Sequence, residues 1–434
     1  MNNLLQRVFK SLEQKNIQYC LVRDHDGLDR FANRVEVDLL VQDIQLAQLS
    51  HLLAGLGFAR LPSRGYAPHH FFVAYDKDAD RWLKIDVVTE IAYGKPVRAL
   101  RTALAIGCLG NRRRCGSAFV PAPEDELVML LLHCVLDKGD FAPSRRQRLK
   151  ALLYQVTDGD YLRALLAMYW SPTMSWPQIA ALIEAEDWPA LLAERAAVGA
   201  RLASRDPIGT LGRQARERVL RKLNRWAGLL RPRVPTVALL APDGAGKTTL
   251  AAGIQDSFYF PVRSMYMGLY QKDGTRPARS RMSRFGLVGR LLTQWKRYLT
   301  ARYHQARGRL VVFDRYTYDA WLPPRQRLTW LKRWRRWLLA HACPPPDMVV
   351  VLDAPGEVLY ARSGEHGGAA LEQQRQAYLK LQSHLPQTVV VDVTRDAEHV
   401  RREVTSLIWQ SMPGMLSGAS RNGHTHGDYR ATAR

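Results

Sequence analysis

Apolar positions follow helical spacing first, strand spacing next, and helical spacing again before a sheet-like half. Over residues 2–14, Leu4, Leu5, Val8, Phe9 and Leu12 recur at the helical period, which predicts an amphipathic helix. IQYCLV (17–22) and VEVDLLV (35–41) read as strands, and DIQLAQLSHLLAGLGF (43–58) reads as a helix ending at Gly55 or Gly57. FFVAY (71–75) and RWLKIDVV (81–88), joined by DKDAD, read as a hairpin. From PAPEDELVMLLLHCVL to about residue 204 the period is helical again; Pro123 followed by acids is a good helix start. Residues 205–235 are rich in Arg and Lys and end in RPRVP, as a basic helix and a Pro-rich stop would.

The pattern changes at residue 236. TVALLA, RLVVFD (309–314), MVVVLD (348–353) and TVVVD (388–392) are apolar runs without polar alternation, as expected for strands covered on both faces. Helical stretches separate them. This predicts an α/β unit with a parallel sheet and helices on both sides. The resulting division is 1–120, a small α+β domain; 121–204, a helical extension; 205–235, a basic linker; 236–412, the α/β domain; and 413–434, a polar tail expected to be disordered.

Composition narrows the function. Apolar residues are 47% and charged residues 24%, ordinary for a globular protein, which excludes wholesale disorder. The net charge of +23 is not ordinary and favours polyanionic partners. The five cysteines form no C-x-x-C pair, which argues against a structural zinc site and fits a reducing compartment. With no long apolar leader in the first residues, the expected location is the cytoplasm.

The strongest chemical signal is TVALLAPDGAGKTTL (236–250), a strand feeding a Gly-rich turn and a helix. Backbone N–H groups of Gly244–Thr248 can cradle a polyphosphate at the helix N-terminus. The nucleotide-binding set is Asp243, Gly244, Ala245, Gly246, Lys247, Thr248 and Thr249, with Lys247 on the β- and γ-phosphates and the Thr248 hydroxyl on Mg²⁺. Ala241 stands where this loop pattern usually has Gly, so a cost for positive φ is expected there. Downstream, Asp314 and Arg315 follow a buried strand, where α/β folds place ligands. Asp314 suits orientation of Mg²⁺ or the acceptor, and Arg315 suits an acceptor phosphate. Arg362 precedes the Gly-rich SGEHGG and is the lid candidate, with Arg375 the second; Asp353 serves either the metal shell or a helix cap.

These motifs occur in an order that resembles thymidylate kinases and related nucleoside-monophosphate kinases. APDGAGKTT is similar to their phosphate loop, FDRYTYDA (313–320) to their Asp-Arg-Tyr motif, and PPPDMVVVLDAPGEVLYARSGE (344–365) to their strand, helix and lid. LEQQRQAYLKL (371–381) and VVVDVTRDAEHV (389–400) resemble the closing helix and strand, so the resemblance spans roughly 236–410. It implies a kinase using ATP and Mg²⁺, with Lys247, Asp314, Arg315 and Arg362 as catalytic residues and a small-molecule phosphate acceptor. Two departures bear on that acceptor. The Arg-Glu-Pro-Gly segment of thymidylate kinases is replaced by VRSMYMGLYQKDGTRPARSR (262–281), and the Ser after Asp-Arg-Tyr is missing. The resemblance implies a nucleoside monophosphate such as dTMP as acceptor, whereas these departures point away from thymidylate itself, to another nucleotide, a sugar or a polysaccharide precursor.

The N-terminal domain carries its own constellation. VEVDLLV puts Glu36 and Asp38 on one strand face, and Asp86 sits on another apolar strand. The order of elements around these acids resembles the minimal nucleotidyltransferase family over roughly residues 1–120. That resemblance implies Mg²⁺ held by Glu36, Asp38 and Asp86 for nucleotidyl transfer; the family's Gly-Ser phosphate-binding turn is replaced here by VRDHDG (22–27), in which Arg23 is the substitute phosphate contact. The first acid is Glu rather than the family's Asp. The third reading is a non-catalytic, ATP-responsive module that binds a polyanion or a membrane. Ten Arg/Lys and no Asp/Glu occur from 274 to 313, followed by RQRLTWLKRWRRWLL (325–339). Nucleic acid and an anionic membrane both suit these stretches but rank below a basic acceptor-site wall and a Trp stripe packed on the core.

Overall fold

The computed structural model describes residues 3–22, 34–63, 66–95, 97–172, 174–226, 234–269, 286–322, 328–364, 367–385 and 387–412. Arg23, most of 262–281, part of the 325–339 stretch, part of SGEHGG and the tail from 413 lie outside them. The chain divides into two units, Met1–Ala227 and Gly228–Arg434.

In the first unit the helix Asn3–Gln14 buries Leu4, Leu5, Val8, Phe9 and Leu12, the residues its periodicity singles out. The strands are β1 (Tyr19–Leu21), β2 (Arg34–Val41), β3 (Ala59–Leu61), β4 (His69–Asp76) and β5 (Arg81–Val88). They form one sheet in the order β1-β2-β5-β4-β3. Only the β2–β5 pair is parallel; its register sets Asp38 opposite Asp86 and Glu36 opposite Lys84. Val37 and Leu39 fill the core from the other face of β2. Two ribbons follow, β6 (Ala92–Tyr93) with β7 (Leu100–Arg101) and β8 (Arg113–Cys115) with β9 (Ala118–Val120). The rest of the unit is helical. Pro123 takes a first-turn position of Pro123–Leu132, and the chain continues into a π-helical turn, His133–Lys138, instead of the single α-helix that the apolar run predicts. His133 and Asp137 are paired there at 3.0 Å and buried, so this histidine is a satisfied interior group. The stretch expected to be a linker contains the 20-residue helix Pro207–Trp226.

The second unit contains β10 (Thr236–Leu240), β11 (Val262–Tyr266), β12 (Leu310–Asp314), β13 (Met348–Asp353) and β14 (Thr388–Asp392). All neighbouring pairs are parallel, in the order β11-β12-β10-β13-β14. Ala238, Leu240, Val311, Phe313, Val349 and Val351 point into one core layer, shared with Ala301 and Tyr378 of the helices Gly286–Ala306 and Gly368–Lys380. The alternate residues Val237, Leu239, Val312, Val350 and Leu352 are also buried. Burial on both faces is why these strands lack polar alternation. From the central β10 the chain winds to one edge and then to the other, and such a switch point opens a crevice at the C-terminal strand ends.

Candidate functional site

The crevice beside β10 is built from a turn that two glycines make feasible. Gly244 and Gly246 have φ of +87° and +80°, a region that side chains with a Cβ rarely adopt. Ala241 is not among the residues of positive φ, so the expected backbone cost at that position is absent. At Gly244 a Cβ would also press on the Leu359 carbonyl and lie 3.1 Å from Ser363 Cβ, because the helix Gly356–Ser363 packs directly over the turn. A Cβ on Gly246 would meet nothing within 4 Å. The helix Lys247–Ser257 starts at Gly246, so its first N–H groups face the concavity.

Lys247 is buried, and its Nζ donates to the carbonyls of Pro242 at 2.7 Å and Ala241 at 3.0 Å. Asp243 Oδ1 lies 3.7 Å away. Burial, with help from the nearby Arg315 charge, lowers the ammonium pKa to about 8. The Thr248 hydroxyl stands 3.5 Å from Asp314 Oδ2 at the end of β12. A hydroxyl and a carboxylate side by side are hard oxygen donors of the kind Mg²⁺ takes.

Arg315 follows β12 in the left-handed region, with φ of +64°. Such a conformation costs of order 1 kcal/mol or more and persists only where surroundings enforce it. Here its N–H donates to the Leu239 carbonyl at 3.1 Å, and its guanidinium bonds Asp243 Oδ1 at 2.5 Å and lies 3.8 Å from Asp319 Oδ2. The buried Asp319 also accepts from the Tyr378 hydroxyl at 3.0 Å. Burial raises the Asp319 pKa against the opposing Arg315 charge, whereas Arg315 itself is held above its usual range by Asp319, Tyr378 and Asp243 despite its burial. The guanidinium thus links the glycine turn at Asp243 to a buried acid.

The structure brings Asp243, Lys247, Thr248, Asp314 and Arg315 to one crevice. Arg362 is placed otherwise: its guanidinium donates to the Val393 carbonyl at 2.9 Å. Arg375 forms a two-point pair with Asp353, at 2.6 and 3.0 Å, so Asp353 is an ion-pair partner in this arrangement. Residues to which the sequence pattern assigns no role complete the wall. Arg297 lies over the Tyr266 ring at 5.4 Å and donates to the Gly268 carbonyl at 3.1 Å. Burial lowers the Arg297 pKa and raises that of Tyr266. Buried Gln294 donates to the same carbonyl, while its Oε1 has no hydrogen-bond partner.

In the first unit, one carboxylate oxygen each from Glu36, Asp38 and Asp86 lies within 4.8 Å of the others. Lys84 bonds Glu36 at 2.5 Å, and His69 Nδ1 lies 2.7 Å from Asp86 Oδ1. Arg98 stands 3.3 Å from the same ring nitrogen. Basic groups thus already offset part of the acidic charge.

No protein-family model matches the sequence, and no curated protein matches it. Among solved structures, thymidylate kinase from Candida albicans is similar over 41% of this chain and 91% of its own, with 16% identity and a TM-score of 0.32. Among the described residues, no helix is long and apolar enough to cross a membrane.

Proposed function

We propose that unit 228–434 binds ATP with Mg²⁺ and moves the γ-phosphoryl group to a small, phosphorylated acceptor. The acceptor class is a nucleoside monophosphate such as dTMP, or a sugar or polysaccharide precursor. The observation that carries this reading is the Lys247 side chain, folded onto the carbonyls of its own turn beside Thr248 and Asp314. A buried ammonium satisfied by two carbonyls exchanges them for phosphate oxygens at little desolvation cost.

Each residue has a task. The N–H groups of Gly244–Thr248 hold the polyphosphate, and Lys247 bridges its outer phosphates. Thr248 and Asp314 are the oxygen donors for Mg²⁺, which when bound supplies charge neutralisation at the phosphate oxygens. Arg315 leaves Asp243 for the acceptor phosphate and keeps Asp319 as its anchor. Arg297 and Gln294 line the approach as further donors. An acceptor oxygen bonds to the γ-phosphorus as the bond to the β-bridging oxygen breaks, and ADP departs. Arg362 joins as a lid residue by releasing the Val393 carbonyl.

A second reading rests on the three carboxylates of the first unit. Glu36, Asp38 and Asp86 offer an oxygen set for divalent metal and nucleotidyl transfer. Incubation with α- and γ-labelled ATP, Mg²⁺ and candidate acceptors separates the two. The proposal predicts ADP and a γ-labelled acceptor, lost in Lys247→Ala and retained in Asp38→Ala. Pyrophosphate and an α-labelled product, lost only in Asp38→Ala, would replace it with the second reading.

A further inference from the structure

Two helices of the second unit present large apolar side chains to water. On Gly286–Ala306, Val288, Leu292, Trp295, Leu299 and Tyr303 are all exposed, at spacings of four, three, four and four residues. That spacing is a single stripe at the helical period. The opposite side of the helix carries buried Gln294, Ala301 and Gln305, so the stripe is not the face that packs on the sheet. On Trp330–Ala340, Trp330, Leu331, Trp334 and Trp337 are exposed, with Trp330 at 73% and Trp337 at 55%, whereas Leu339 and Ala340 are buried. The Trp stripe expected to pack on the core therefore faces outward. The two helices meet in one small cluster, where Leu287 and Leu291 pack against Leu339 and Ala340.

Charge completes the pattern. These two helices hold Arg290, Lys296, Arg297, Arg302, Lys332, Arg333, Arg335 and Arg336 and no acid. Arg297 faces the crevice, and Arg336 is fastened to the carbonyls of Ala320 and Leu322. Arg333 and Arg335 remain exposed on either side of the Trp face. An exposed Trp and Leu face bordered by arginines matches the boundary between anionic headgroups and acyl chains.

We propose that this face docks the protein onto an anionic lipid bilayer surface. A second copy of the chain would bring two acid-free basic faces together, which like-charge repulsion opposes. Nucleic acid would use the arginines and aromatic rings, but it gives no reason for Val288, Leu292, Leu299 and Leu331. Headgroup-level insertion uses all of them.

The test is flotation of the full chain with phosphatidylcholine vesicles, with and without phosphatidylserine. Trp334→Ala/Trp337→Ala and Arg333→Glu/Arg335→Glu serve as variants, each checked for an unchanged circular dichroism spectrum. The expected result is binding to phosphatidylserine vesicles that weakens as salt rises, with each double variant at least about tenfold weaker. Quenching of wild-type Trp fluorescence by brominated lipid would show insertion. Absence of binding, equal binding to both vesicle types, or full binding by the Trp variant would overturn the proposal. So would a dimer that the Trp substitutions dissociate, or an RNA complex with the same variant sensitivity, when vesicles are not bound.

Discussion

Lys247 is a lysine whose charge is conditional. Its pKa of about 8 results first from burial and then from the nearby Arg315 charge. Below pH 8 the ammonium is already present when a polyphosphate arrives. Above pH 8 the free side chain is mostly neutral, so binding must take up a proton, and affinity falls by up to about tenfold per pH unit. Calorimetric titration with Mg·ATP in buffers of different ionisation enthalpy should show proton uptake near pH 9 and none near pH 7. Gly244 makes a steric prediction. Its φ of +87° and the closeness of Leu359 and Ser363 leave no room for a methyl group. Gly244→Ala should cost about 3 kcal/mol, read by denaturant unfolding, and should reduce nucleotide affinity as the turn shifts. The turn itself is legible in the sequence, because Gly and Lys at that spacing after a buried strand are what a backbone cradle for phosphate requires. The role of Asp319 is not. It lies 59 residues from its hydrogen-bond partner Tyr378, and only the folded sheet brings the two together.

Among the elements, continuous apolar runs disclose β10, β12 and β13 because both faces of those strands are covered, and the run TVVVD discloses β14 although that strand lies at an edge with Val389 and Val390 half-buried. β11 escapes that pattern. It is an edge strand with mostly half-buried residues, and its VRSMY carries no such run. The π-turn at His133–Lys138 is also invisible, since the run from Leu127 to Leu136 is apolar at nearly every position and one extra residue in a turn displaces no stripe. The arginines after β13 show a different limit. Arg362 and Arg375 are alike in sequence as phosphate ligands, but the fold fastens Arg375 to Asp353 by two bonds and ties Arg362 to the Val393 carbonyl by one, which a phosphate can replace. At Gly356 the helices Gly356–Ser363 and Gly368–Lys380 approach so closely that a Cβ would sit 2.8 Å from the Glu372 nitrogen. Gly356→Ala should push them apart at a cost of about 2 kcal/mol. Because the first of these helices packs on the Gly244 turn, the proposed phosphate cradle, thermal unfolding and nucleotide affinity should decline together in this variant.

For the whole molecule, the two units have separate cores and separate candidate chemistry. Calorimetry of the full chain should resolve their unfolding, and Mg·ATP at about a hundred times its Kd should stabilise the second unit by about 2.7 kcal/mol. For about 200 residues that is a rise of roughly 5–10 °C in one transition, with the other unmoved. Asp38→Ala should leave the shift intact. The net charge of +23 is plain from composition, but its meaning depends on placement. Arg315 and Arg297 lie at the crevice, while Arg333 and Arg335 border an exposed aromatic face that periodicity alone assigns to the core. The N-terminal acids show the converse: alternation along β2 puts Glu36 and Asp38 on one face, and the parallel register with β5 delivers Asp86 to them.

If residues 243–249 form a polyphosphate cradle with Lys247 as its charge, titration of the full chain with Mg·ATP should find one site in the wild type. Lys247→Ala should bind about 100-fold more weakly, as expected when a buried charge-assisted bond of about 3 kcal/mol is removed. Equal affinity in the two proteins, or a site lost in Asp38→Ala and kept in Lys247→Ala, would mean that the cradle is not where the nucleotide binds.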